Sequence, residues 1–355
     1  MNLAPETALR HYFGQADASQ GGWTGGWSVR WDALSASQRE AVLSREVPEV
    51  VTVRTSGSTG VPTQWSRSRE QVLAEAAMLA ALWREDPVDL MLAFAPPTHL
   101  YGLLTTLLMP AVLGVEVWYQ PGPEAAMPDV RGRALGITAI PWTFRLLDRR
   151  RDELARASRI VIQHSTATLP PGAEDFANAF GRGRVRITEI FGSTESGGIA
   201  HRTGRDQPWT LFPDITLTHT ADGAQPEVPL VVSGPRLATG LDTWATGDFV
   251  EVVDPRHFRF HGRRTRLRKI NGVRVDFDEV EHRLRDTVPS KDVACVPVDD
   301  PVRGENFTVL VVPDGPGGPD VVKAVRIALK SWNLVPHEVL VVPAIERSET
   351  GKLRR

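Results

Sequence analysis

The sequence predicts an α/β protein: a large N-terminal α/β domain with parallel sheets, a β-rich subdomain attached to it, and a small C-terminal α+β domain. Three observations carry this reading. Between residues 50 and 191 short β-type apolar runs alternate with longer helix-like ones, as in βαβ units. From Trp209 the texture changes to strands and turns without helices, as in an antiparallel or barrel-like piece. After Gly262 helices and strands resume in a segment short enough for one small domain. We therefore expect a division into 1–262 and 263–355.

The elements follow in order. Residues 1–50 read as short helices around a Gly/Trp-rich segment at 21–27, with a helix start at 35–40 capped by Ser35 or Ser37. Residues 50–53 are a β-type run and 69–82 a helix-like run, with a small-residue loop between them. Residues 90–95 form a buried strand bounded by Pro96 and Pro97, followed by an apolar helix over 103–112. Further strands fall at 114–118, 136–140, 158–163 and 185–191, with a helix of mixed charge after the second. The β-rich piece has strands at 215–219, 230–233, 249–253 and 258–260. A helix over 278–287, strands near Val293 and Val309, a helix over 321–331 and a strand near Val339 complete the chain. The run 315–319 reads as a surface loop.

The chain has 355 residues, 41% hydrophobic and 24% charged, with a formal net charge of -2. That balance gives no reason to expect nucleic acid as a partner. Basic clusters at 145–159 and 263–269 read as a solvated helix face and a loop. Cys295 is the only cysteine, which excludes an intrachain disulfide, and its apolar surroundings at 293–298 make it a buried strand residue. No apolar run reaches about 18 residues and the N-terminus lacks a signal pattern, so we expect no membrane span and a cytoplasmic location.

The loop at 55–62 (TSGSTGVP) organises the rest. Gly57 and Gly60 let the backbone turn tightly beside a ligand, and Ser56, Ser58 and Thr59 add hydroxyl donors suited to phosphate oxygens. It is not the common nucleotide loop, because no lysine follows Gly60. Taken alone, it reads equally as a Ser/Gly turn.

Five stretches in order resemble the adenylate-forming superfamily of acyl- and aryl-CoA synthetases, amino-acid adenylation domains and luciferases. They are 55–62, 191–195 (FGSTE), 246–248 (TGD), the set Gly262, Arg263, 269–274 (KINGVR) and 279–281 (EVE), and 350–352 (TGK). The resemblance covers residues from about Val50 to the C-terminus. Members usually carry a further hundred or so residues before the glycine loop, so the chain resembles a compact member with a short N-terminus. The resemblance implies attack of an acid on the α-phosphate of ATP, release of pyrophosphate and formation of an acyl-adenylate. Such chemistry rests on positioning and electrostatic stabilisation.

On this resemblance Thr55, Ser56, Gly57, Ser58, Thr59 and Gly60 hold phosphates, together with Thr194, and Glu195 holds Mg²⁺. Phe191 and Gly192 belong to the nucleotide site, Asp248 accepts the ribose hydroxyls, and Arg263 stands near ribose and phosphate. Lys269 and Arg274 are further cofactor-binding candidates and flank the Asn271–Gly272 turn, which approaches the nucleophile's tunnel after the small domain rotates about a hinge at 262–266. Lys352 enters the site during adenylation and draws the carboxylate toward phosphorus. His99 and Tyr101 flank the acyl group, with Ser165 and Gly197 as further lining; Trp142 and Phe144 are additional candidates. The stretch 165–169 (STATL) stands where members usually have Gly-Gly-Ala, which narrows the pocket or alters the adenine wall. Thr63 replaces the usual loop lysine, and Thr265 takes a hinge position often held by Asp or Lys.

The leading expectation is an ATP-dependent acid ligase that makes a thioester with coenzyme A or a carrier-protein phosphopantetheine. A small aromatic or unsaturated carboxylic acid suits the pocket residues. Two other readings stand beside it: an adenylate former with a non-thiol acceptor, such as an amine or nitrite, and a nucleotide-binding relative without turnover.

Overall fold

Thirteen strands form one continuous sheet through the larger part of the molecule. In this computed structural model the described residues are all except 15–24, 55–62, 171, 182, 219–226, 264–265, 271–272, 301–303, 316–317, 348–352 and 354–355. For 267, 269, 273–274, 299–300, 304–305 and 318–319 only the backbone is described.

The heart of the sheet is parallel. Glu116–Tyr119, Leu90–Ala93, Ala134–Ala139, Arg159–His164 and Val185–Ser193 lie side by side in that order. Both faces are covered, and the central strands Leu90–Ala93, Ala134–Ala139 and Arg159–His164 are buried almost throughout rather than on alternate residues. Helix Arg69–Ala81 packs Val72, Ala76 and Leu79 on one face. On the other, Phe144 and Phe176 of helices Thr143–Arg149 and Gly172–Ala179 meet Leu135, Ile137, Ile160 and Ile162. Each fully buried side chain of this size contributes about 1.5–3 kcal/mol.

The strands of the β-rich piece do not form a barrel of their own. Gly197–Arg202, Trp209–Leu211, His257–Arg263, Trp244–Asp254, Val228–Ser233 and Thr216–Leu217 continue the same sheet, antiparallel, beyond Val185–Ser193. The link is the short strand Trp209–Leu211, which pairs with a neighbour on each side.

The expected passage from loop directly to helix needs correction. Residues Gln64–Ser68 form a strand, paired antiparallel with Val50–Arg54 in a separate two-stranded ribbon. Helix Arg69–Ala81 starts only after it. The Ser68 hydroxyl accepts from the Gln71 amide and the Gln71 side chain accepts from the Ser68 amide, a reciprocal cap. Ser35 caps helix Ala36–Glu46 in the same way with Gln38, as its sequence predicts.

The C-terminal part has its own core. Hairpin Leu267–Ile270/Val273–Asp276, helix Phe277–Thr287, the antiparallel pair Ser290–Asp300/Gly304–Pro313, helix Gly318–Ser331 and the parallel edge strand Glu338–Val341 enclose Phe277, Leu284, Cys295, Phe307 and Val325. Cys295 is fully buried and unpaired, as expected. Burial pushes its thiol up. Arg266 ties this unit together from its first residues: Nε donates to Asp278, Nη1 to the Cys295 carbonyl and Nη2 to Glu281. Arg263, by contrast, pairs within the large sheet opposite Asp248.

Candidate active site

The carboxyl ends of the parallel strands form the rim where open α/β sheets bind ligands. Several expected residues gather there. Tyr101 Oη donates to the Gln163 carbonyl at 2.9 Å, fastening the segment after Leu90–Ala93 to the end of Arg159–His164. Burial pushes the Tyr101 phenol up, so it stays a donor. The Ser165 hydroxyl donates to the Ile190 carbonyl at 3.0 Å, joining the next pair of strand ends. His99 stands half-buried at the start of the helical turn Leu100–Gly102 and its carbonyl accepts from the Leu103 amide. Thr166 has φ of 82°, a left-handed conformation that strains a β-branched residue. Beside it His164 is buried, with neither ring nitrogen hydrogen-bonded among the described residues. Burial pulls its imidazole down to about 3, so it is neutral.

The turn after Val185–Ser193 carries Thr194 and Glu195. It closes on itself: the Ser196 hydroxyl accepts from the Ser193 amide, and the Ser193 hydroxyl from the Ser196 amide. Gly192 runs so close to the returning strand that a Cβ would stand 2.2 Å from the Gly197 carbonyl oxygen. Gly197 has φ of 69°, and a Cβ there would meet the Glu75 carboxylate at 2.5 Å. Gly197 therefore lets the chain turn over a buried acid.

That acid is part of a network absent from the sequence reading. Glu75, on helix Arg69–Ala81, accepts from the Gly198 amide at 2.7 Å and lies 3.5 Å from Arg236 Nη1. Arg236 donates to the Gly198 carbonyl at 2.8 Å and makes a two-pronged pair with Asp214. Arg67, on strand Gln64–Ser68, donates to the carbonyls of Thr194, Glu195 and Arg236 at 2.7, 3.1 and 3.1 Å. Glu75, Arg67 and Arg236 are each 1–2% exposed. One signal for Glu75 exists in the sequence, since it lies on the buried face with Val72, Ala76 and Leu79. Arg67 and Arg236 give none.

The Glu195 side chain is half-buried, and among the described residues no hydrogen bond or ion pair engages its carboxylate. A single hard oxygen donor fits Mg²⁺, which usually takes one or two carboxylates plus phosphates and waters. No cluster of three metal-binding side chains occurs among the described residues.

A second group lies on the antiparallel strands. Asp248 and Arg263 face each other in register, with Arg263 Nε 3.0 Å from Asp248 Oδ1. Burial pushes the Asp248 carboxyl up, against the pull of Arg263 and Thr246. Phe191 packs its ring against Trp209, Phe258 and Phe260 at 5.3–5.9 Å, which gives the start of the turn an aromatic floor.

Thr55, Ser56, Gly57, Ser58, Thr59, Gly60, Asn271, Gly272, Thr265 and Lys352 lie outside the described residues. Lys269 and Arg274 are backbone partners in the hairpin Leu267–Ile270/Val273–Asp276, and their side chains are not described.

With fold and site in place, the family follows. The chain belongs to the AMP-binding enzyme family, whose profile matches residues 33–226, with the AMP-binding enzyme C-terminal domain matching 279–352. This is the adenylate-forming group that the five motifs resemble. Among its relatives, a 4-coumarate–CoA ligase of Cereibacter sphaeroides is 31% identical over 47% of this chain and 41% of its own length. An anthranilate–CoA ligase of Pseudomonas aeruginosa is 27% identical over 85% of this chain and 64% of its own. The chain thus spans less than two thirds of the length of these relatives. The solved structure of ATP-bound MatB from Rhodopseudomonas palustris shares the fold, with a TM-score of 0.68 at 19% identity over 85% of this chain and 66% of that one. Among the described residues no helix is long and apolar enough to cross a membrane.

Proposed function

We propose that this chain is an ATP-dependent acid ligase that forms an acyl- or aryl-adenylate and passes the acyl group to a thiol. The acceptor is coenzyme A or a carrier-protein phosphopantetheine. The observation that carries the reading is the Thr194–Glu195 turn, locked at the carboxyl rim of the parallel strands with no hydrogen bond or ion pair to the Glu195 carboxylate among the described residues. Relatives named for 4-coumarate and anthranilate support a small aromatic or unsaturated carboxylic acid as substrate.

In this mechanism residues 55–60 and Thr194 hold the phosphates of ATP, and Glu195 holds Mg²⁺. Mg²⁺ bound there would neutralise charge on the phosphate oxygens. Asp248, oriented by Arg263, accepts the ribose hydroxyls; its role requires the ionised form, which Arg263 favours. Phe191 and Gly192 border the nucleotide. His99, Tyr101, Ser165 and Gly197 shape the acid pocket, and the strained backbone at Thr166 lies in the stretch where members usually have Gly-Gly-Ala. Lys352 supplies a positive charge to the carboxylate and the ribose oxygen. The units 1–262 and 263–355 work as a large and a small domain, the second rotating so that Lys269, Arg274 and the Asn271–Gly272 turn replace Lys352 at the site for thioester formation. We place this work in the cytoplasm.

Acid-dependent exchange of labelled pyrophosphate into ATP, run over a panel of aromatic, unsaturated and fatty acids, tests the reading. Exchange with one of the small flat acids is expected. No exchange with any acid, despite ATP binding, would instead mark a nucleotide-binding protein without turnover. Coenzyme A, holo-carrier protein and an aryl amine offered after adenylation then identify the acceptor.

A further inference from the structure

Arg67 is a buried cation whose hydrogen bonds, among the described residues, all end on carbonyl oxygens, with the charges of Glu75 and Glu195 acting on it from farther off. It is 1% exposed, and among the described residues no carboxylate lies within ion-pair distance of it. Burying a guanidinium without a paired acid is costly. The three carbonyls it reaches show what that cost secures.

Two of them, on Thr194 and Glu195, belong to the peptide units on either side of the Glu195 Cα. A peptide unit is planar, so holding the oxygen of each unit holds its plane. With both flanking planes held, φ and ψ of Glu195 are fixed, and so is the direction of its Cα–Cβ bond. The third carbonyl, on Arg236, ties the same guanidinium to the residue that grips Gly198 at the far side of the turn. The Glu195 carbonyl also accepts from the Ala238 amide at 2.9 Å. The rigid fork of arginine suits this task, because its donors reach several acceptors at once from one plane.

We propose that Arg67 is a positioning residue for the metal site: by clamping the peptide planes on both sides of Glu195 it aims that carboxylate at Mg²⁺ bound with ATP. This rests on the reading of Glu195 as the metal carboxylate. Arg67 itself touches neither metal nor nucleotide in this proposal. Groups that orient a metal ligand commonly change metal affinity by about 10- to 100-fold when removed.

The test titrates Mg²⁺ against the full-length protein at saturating ATP and reads the metal-dependent rise in melting temperature. Arg67→Met is expected to raise the half-saturating Mg²⁺ concentration about tenfold or more. Arg67→Lys, which keeps the charge and reaches fewer carbonyls, should lie between Arg67→Met and the unaltered chain. The rise caused by ATP without Mg²⁺ should be the same in all three, which a general loosening of the fold would not give. Half-saturation unchanged in a folded Arg67→Lys and a folded Arg67→Met would overturn the proposal. If Arg67→Met does not fold, Arg67→Lys decides alone. Glu195→Gln separates the two layers. If it titrates like the unaltered chain, the reading of Glu195 is wrong and the role of Arg67 falls with it. If it loses the Mg²⁺ response while both Arg67 variants keep theirs, only the role of Arg67 fails.

Discussion

Two regions of this molecule rest on arginines and use them in opposite ways. At the Ser193–Gly198 turn, Arg67 and Arg236 are buried and bond to backbone carbonyls that cannot move without breaking the sheet behind them. At the seam between the large and small units, Arg205 meets His282 at 2.6 Å and Glu174 at 2.9 Å, and Arg145 donates to the Lys291 carbonyl. These seam groups are partly exposed, and they reach side-chain ends as well as carbonyls, Arg205 donating also to the Leu169 carbonyl. A buried cation fixed to backbone defines one geometry. A half-exposed cation paired with another side chain holds a geometry that can be left. The first suits a site where atoms must be placed to a fraction of an ångström, and the second suits the rotation proposed for the C-terminal unit.

The contrast is broken most forcefully at Glu75. Glu75→Ala strips the Gly198 amide of its acceptor and leaves Arg236 with Asp214 as its remaining carboxylate partner among the described residues. Removing one partner of a buried charge pair costs about 3–5 kcal/mol. Chemical denaturation should show a loss of that size with an unchanged dependence on denaturant, and a near-normal midpoint would mean that the network is not what stabilises the turn.

Lys352→Ala probes the movable side. Its loss should slow acid-dependent pyrophosphate exchange about ten- to a hundred-fold with no change in melting temperature. An unchanged exchange rate would remove this lysine from the adenylation step.

The smallest effect belongs to the seam itself. Burial, then Arg205, holds His282 below the ordinary histidine range, with Arg285 acting in the same sense and Asp286 and Glu279 opposing. A folded-state value below the unfolded one means that docking favours neutral imidazole. Its contribution is present above about pH 6.5 and is lost as the pH falls below that value. Hydrogen exchange in helix Phe277–Thr287 should therefore quicken between about pH 7 and pH 5, relative to a pH-corrected intrinsic rate. Arg205→Gln should flatten that dependence while changing global stability by about 1 kcal/mol or less. Equal slopes in both proteins would show that this contact does not govern docking.

Much of the architecture was legible because most elements bury apolar faces with the expected period. The parallel strands, helix Arg69–Ala81 and the C-terminal α+β unit stand where their patterns place them. Strand Gln64–Ser68 escaped because its one fully buried residue is Arg67, so the alternation that marks a half-buried strand is inverted. The joining of the β-rich piece to the main sheet escaped for another reason. It depends on Trp209–Leu211 pairing with Gly197–Arg202 and His257–Arg263, and pairing between distant segments leaves no local signature. At the candidate site, the motifs single out Thr194, Glu195 and Asp248. They do not single out the supports, since Arg67, Glu75 and Arg236 act through backbone contacts made 38 to 169 residues away in sequence.

The solitary thiol has a use that follows from its place. Cys295 lies at the centre of the C-terminal core, its amide bonded to Glu281 and its carbonyl to Arg266. An alkylating reagent in solution can reach it only when that unit opens. Because no second sulfhydryl competes, the rate of alkylation reports how often the C-terminal unit breathes, with the native sequence serving as its own reporter.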